Sequence, residues 1–167
     1  MDWESRTDLQ IAWGGESATN WRDLCRVKWV GQEHPNGCGV ACLAMLSATS
    51  YASVSEMFVQ QGLGQARGRK RPFASNFRDL MAVAEKLGLQ GAMRRWRGWA
   101  AVEGVGVLKV PSKPPNWHWV VVERTERFGV VVQDPAMDWP AFERAPLDVV
   151  YRSPESLRPY GNWIAFP

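Results

Sequence analysis

What this chain has little of narrows its chemistry before any motif is read. Cysteines number three and histidines two among 167 residues. An odd, small set of thiols (Cys25, Cys38, Cys42) does not make a disulfide framework and fits a reducing compartment. No run approaches the roughly 18 apolar residues of a membrane span. The opening residues Met1-Asp2-Trp3-Glu4-Ser5-Arg6 lack the basic-then-apolar order of a secretory signal, so a cytoplasmic location is expected, or export as an effector by a signal-independent route. Charge of one sign is not in excess: the net value is +3. Two short basic runs, Arg67-Gly68-Arg69-Lys70-Arg71 and Arg94-Arg95-Trp96-Arg97, read as a solvated loop and a solvated strand end. Neither comes with a nucleic-acid-binding signature, so no nucleic-acid partner and no membrane partner are expected.

What is present suits one soluble domain: 46% apolar and 22% charged residues, with ten tryptophans scattered without a period. Most of these rings are expected to pack, and those flanking a site to wall a groove. We divide the chain into an N-terminal arm, 1–27, and a single domain, 28–167. Residues 26–30 alternate polar and apolar, the pattern of a short strand. A Pro-Asn-Gly loop then runs into Cys38–Ser47, apolar on nearly every face and hence a buried helix with Cys38 in its first turn. Ser53 with Glu56 reads as a capping box for a helix ending near Gln61. Residues 62–74 read as a surface loop. Ser75 or Asn76 caps an amphipathic helix through Lys86, closed by Gly88. The second half is rich in β-branched runs at 105–110, 119–124, 129–133 and 162–166, the middle two joined as a hairpin. Helices first and strands later predict an α+β fold with an antiparallel sheet.

Four residues carry candidate chemistry. Cys38 starts a helix, where unpaired N–H groups and the helix dipole favour a thiolate, and Gly37 and Gly39 leave room for a substrate backbone. The bland alternative is a small buried hydrophobe, the reading we give Cys42 one turn further in. The base must come from His34 or His118. His118, which begins a strand in Asn116-Trp117-His118-Trp119, fits the usual sequence-distant partner, whereas His34 in the Cys38 loop fits the site entrance, with Trp117 as a groove wall. Asp134 ends the paired strand and can meet His118 across the ladder as its orienting carboxylate, and Asp134-Pro135 is equally a strand terminator. Gln32, six residues before Cys38, can donate to an oxyanion. A zinc site from Cys38, Cys42, His34 and His118 lacks the paired knuckles zinc uses. No metal and no cofactor are therefore expected.

Gln32-x5-Cys38-Gly39-Val40-Ala41-Cys42-Leu43-Ala44-Met45, followed by His118-Trp119-Val120-Val121-Val122 and Val132-Gln133-Asp134-Pro135, resembles the bacteriocin-processing, double-glycine peptidase family. The resemblance spans residues 30–136 and includes Gly88-Leu89. The family's pattern has Pro where this chain has Val40, and these residues hold no transporter segment, so the likeness is to its stand-alone bacterial and phage forms. It implies a papain-like cysteine protease fold, with a helical half carrying the nucleophile packed on an antiparallel sheet carrying His and Asp. It also implies Cys38 as nucleophile, His118 as base, Asp134 as orienter and Gln32 as oxyanion donor. The expected activity is hydrolysis of a peptide or isopeptide bond in a peptide or protein substrate. Two alternatives use the same scaffold: a deamidase or transglutaminase-like effector, and a non-catalytic interaction module.

Overall fold

The computed structural model describes residues 21–113, 116–146, 149 and 151–167. Most of the expected N-terminal arm therefore lies outside the described residues. Its last residues are held in the domain: Trp21 packs edge-on to Phe142 at 5.0 Å, and both Trp21 and Cys25 are buried.

Among the described residues, a helical stretch at 21–24 is followed by α1 (Cys38–Ser47), α2 (Tyr51–Gln60) and α3 (Phe77–Lys86), all before the sheet. α1 carries no polar face, and Cys38 through Met45 are all buried, as its all-round apolar sequence requires. The cap of α2 lies three residues before the expected position. Ser50, not Ser53, accepts the bond from the Ser53 N–H, because an extended backbone at Ser50 aims its hydroxyl at the first turn. α3 is capped by a reciprocal box, Asn76 accepting from the Asp79 N–H and Asp79 from that of Asn76. Gly88 follows at φ +77°, a backbone that glycine adopts without steric cost.

The sheet is six-stranded and wholly antiparallel: β1 (Ala92–Arg95), β2 (Val105–Pro111), β3 (Trp117–Thr125), β4 (Gly129–Gln133), β5 (Ala141–Phe142) and β6 (Asn162–Phe166), in the order β1-β6-β2-β3-β4-β5. Both faces are covered. Val107, Trp119, Val121 and Ile164 pack toward the helices, while Leu108, Val110, Val120, Val122 and Val132 face a second cluster with Trp96, Trp99 and Leu157. Burial on both faces is why Val120-Val121-Val122 and Val130-Val131-Val132 read as unbroken apolar runs rather than alternating ones. Arg94 and Arg95 stand exposed on edge strand β1, where charge discourages pairing with another chain.

Residues 26–30 do not form the expected strand. Side chains of the sheet satisfy them instead: the N–H groups of Arg26 and Val27 donate to the Glu123 carboxylate at 2.6 and 3.1 Å, and Gln133 Nε2 donates to the Val27 carbonyl at 2.8 Å. Buried Glu123 and Gln133 thus do what a ladder neighbour would have done. Among the described residues, no single helix is long and apolar enough to cross a membrane.

Candidate active site

Three elements converge. α1 begins at Cys38, His118 lies near the start of β3, and Asp134 follows the last residue of β4. The β3–β4 register pairs Val121 with Gln133, which sets Asp134 alongside the N-terminal end of β3. From there His118 Nε2 donates to Asp134 Oδ1 at 2.7 Å. The Cys38 side chain lies near enough to the same ring to act on its charge. Cys38, His118 and Asp134 are therefore brought together in the order thiol, imidazole, carboxylate.

The electrostatics follow from this geometry. Burial disfavours the charged form of His118, but the hydrogen bonds and charges of Asp134 and Cys38 outweigh it and push its pKa from 6.5 to about 9. Burial likewise pushes Asp134 up, but His118, the Ala136 N–H and Arg152 together hold its carboxyl below the usual range. Near neutral pH the pair is an imidazolium bonded to a carboxylate. The other two thiols are of a different kind. Burial pushes Cys42 well above the ordinary thiol range, and burial aided by Glu123 pushes Cys25 up to about 12. Both stay protonated and poorly reactive.

Asp134 is gripped from several sides. Oδ1 also accepts from the Ala136 N–H at 2.9 Å, and Oδ2 accepts from Arg152 Nη2 at 3.0 Å. Trp29 Nε1 donates to the Asp134 carbonyl at 2.8 Å, and the Gln32 N–H donates to the Pro135 carbonyl at 2.9 Å. The loop leading to Cys38 is thus tied to the Asp134-Pro135 turn. Gln32 Nε2 donates to the carbonyls of His34 and Pro35 at 3.3 and 3.2 Å, and its Oε1 is buried with no partner among the described residues.

His34 is packed away from this line. Its ring stacks on Phe73 at 3.9 Å, and its Nδ1 shares a 2.8 Å hydrogen bond with the Tyr51 hydroxyl. Trp117 is half-buried beside Trp119, with the Lys109 ammonium 4.6 Å over its ring. Both glycines beside Cys38 have a packing reason to be glycine. A Cβ on Gly37 would strike the Tyr51 hydroxyl, and one on Gly39 would come within 2.5 Å of Ser75 Oγ and 2.9 Å of Leu80 Cδ2. Gly39→Ala is accordingly expected to destabilise the fold by about 1–3 kcal/mol in urea denaturation, because Leu80 and Ser75 are buried and have little room to yield. A midpoint equal to the wild type's would show that the α1–α3 packing gives way freely. Among the described residues no three His, Cys, Asp or Glu gather to hold a metal ion.

A helix-borne thiol facing a strand-borne imidazole and carboxylate, across a helical layer packed on an antiparallel sheet, settles the architecture. The fold is that of a papain-like peptidase domain. The chain superimposes on the peptidase domain of Streptococcus ComA, a bi-functional ABC transporter involved in a quorum-sensing pathway, with a TM-score of 0.59 and 17% identity. The match covers 84% of this chain and 98% of that domain. No family model and no curated protein matches the sequence. The likeness is one of fold.

Of the groups around this site, Arg152 and Trp29 escaped the sequence reading. Arg152 lies in a segment without periodicity, and no local pattern links it to a residue 18 positions earlier. Trp29 was one of ten tryptophans, with nothing to single it out.

Proposed function

We propose that this protein is a cysteine peptidase that hydrolyses a peptide or isopeptide bond through a thioester on Cys38. The observation that carries the proposal is His118, bonded through Nε2 to Asp134 and with the Cys38 side chain beside its ring. The likeness in fold to a peptidase domain supports it. An imidazolium beside the sulfur favours the thiolate. The thiolate attacks the scissile carbonyl carbon and the C=O electron pair moves onto oxygen, where the Cys38 N–H at the start of α1 and Gln32 Nε2 donate. For Gln32 this means exchanging one of its two long bonds to loop carbonyls for the oxyanion. The tetrahedral species collapses as His118 gives its proton to the departing amine, which leaves a thioester. Neutral His118 then takes a proton from water, the hydroxide adds to the thioester, and the acid and thiol are released. Asp134 holds the ring in place and stabilises its charge throughout.

Incubation with a proteome-derived peptide library, read by mass spectrometry, tests this. New chain ends at a defined sequence are expected. A mass gain of about one unit on Gln or Asn without chain cleavage, the mark of a deamidase using the same residues, would overturn the peptidase reading and keep the nucleophile. Neither change, together with a Cys38 no more reactive toward iodoacetamide than Cys25 or Cys42, would overturn both.

A further inference from the structure

Arg152 is a partly buried cation with one strong partner. Its backbone is fixed independently of its side chain: residue 152 forms a parallel bridge with Ala141, and the Phe142 N–H donates to the Arg152 carbonyl at 3.3 Å. A side chain of any kind would therefore be held here, and the bridge needs no guanidinium. Nor is the guanidinium well placed for stability alone. Its Nε is buried without a partner among the described residues, and an unsatisfied buried donor carries a desolvation penalty. What the cation does reach is Asp134 Oδ2, the carboxylate oxygen that His118 leaves open.

We infer that Arg152 is a positioning residue for the Cys38–His118 pair, holding Asp134 ionised and in the rotamer that presents Oδ1 to the imidazole. This rests on the peptidase reading and extends it. The segment after residue 140 then supplies the third grip on the orienting carboxylate, after His118 and the Ala136 N–H. The charged and titratable groups that act on Asp134 among the described residues are His118 from β3, Cys42 from α1, and Arg152, with Cys38 acting on His118. Cys42 is neutral, so Arg152 is the one permanent charge of the set. Its removal makes the anion at Asp134, the partner of His118, easier to protonate. The acid side of the reactivity profile must then move to higher pH.

The test is the rate of Cys38 carboxamidomethylation by iodoacetamide from pH 4 to 10, resolved from Cys25 and Cys42 by peptide mass spectrometry, in wild type, Arg152→Met and Arg152→Lys. In wild type Cys38 should outpace the other two thiols. In R152M the acid limb should move up by about one pH unit, so that labelling on that limb slows roughly tenfold. R152K, which keeps the charge, should restore most of the shift. A purely structural role would lower the melting temperature of both variants and leave the limb in place, and superimposable limbs for R152M and wild type overturn the inference. If R152M does not fold, Arg152→Gln, with a donor toward Oδ2 but no charge, is judged by the same criterion. A wild-type Cys38 without preferential reactivity would instead overturn the peptidase reading itself.

Discussion

Cys38→Ala is expected to abolish peptide-bond cleavage, a loss of at least about 10⁴-fold, while leaving the fold intact. Covalent catalysis has no substitute once the sulfur is gone: His118 and Asp134 remain, but no atom in reach can form the thioester. The fold survives because Cys38 sits at the edge of the core, in the first turn of α1, with 9% of its surface exposed. The methyl of alanine occupies part of the same space, so a cost of about 1 kcal/mol is anticipated. Circular dichroism and a melting curve close to those of wild type, together with absent cleavage products, form the expected pair of results. The same variant should lose fast iodoacetamide labelling, since the remaining thiols are held protonated by burial. Retained cleavage in a folded C38A protein would remove Cys38 from the chemistry.

Trp119→Ala is expected to have the largest effect on stability, about 3–5 kcal/mol in urea denaturation. This indole is 1% exposed and sits at the junction of the helices and the sheet. Its ring packs edge-on to Phe77 at 4.9 Å, and its Nε1 donates to the Ser75 carbonyl at 3.2 Å. A Cβ built on Gly39 would lie only 3.4 Å from Trp119 Cδ1, so the ring also supports the turn of α1 next to Cys38. Truncation leaves a cavity in a close-packed interior and an unpaired Ser75 carbonyl, two costs that add. Set against a typical total of 5–15 kcal/mol, that loss can unfold the protein at ambient temperature. A loss under about 1 kcal/mol would mean that α1 and α3 do not depend on this ring.

Neighbouring positions on β3 serve packing and the site. Trp119 is buried between α1 and β3, and His118, one residue before it, is bonded to Asp134 with Cys38 nearby. β4 reaches Asp134 because the buried run Val130-Val131-Val132-Gln133 locks the register and the strand then ends at Asp134-Pro135.

Much of this was legible in the chain. Strands β4 and β6 and helix α3 follow from apolar patterning and cap chemistry, with the structure choosing Asn76 over Ser75 as the cap. So does the start of α1 at Cys38, because an apolar run after Pro-Asn-Gly can begin only there. Of β1 only a solvated strand end at 94–97 was read, and β5 was not legible. β1 is short and exposed on every residue, and β5 has two residues, so neither carries a periodic signal. The failed strand at 26–30 and the cap at Ser50 rather than Ser53 share one cause. Both were decided by which partner lies within hydrogen-bond reach, Glu123 in one case and a backbone turned extended in the other.

The sequence by itself determined the candidate thiol, its helix and the two halves of the fold, because those depend on residue type and spacing along the chain. Only the tertiary structure decided between the two histidines. It placed His34 against Phe73 and Tyr51, and His118 between Cys38 and Asp134, since the ladder and the packing of α1 on β3 bring together residues 80 positions apart in sequence. Only the tertiary structure brought Arg152 to Asp134, because a guanidinium selects its carboxylate by proximity in space, which one-dimensional pattern does not encode.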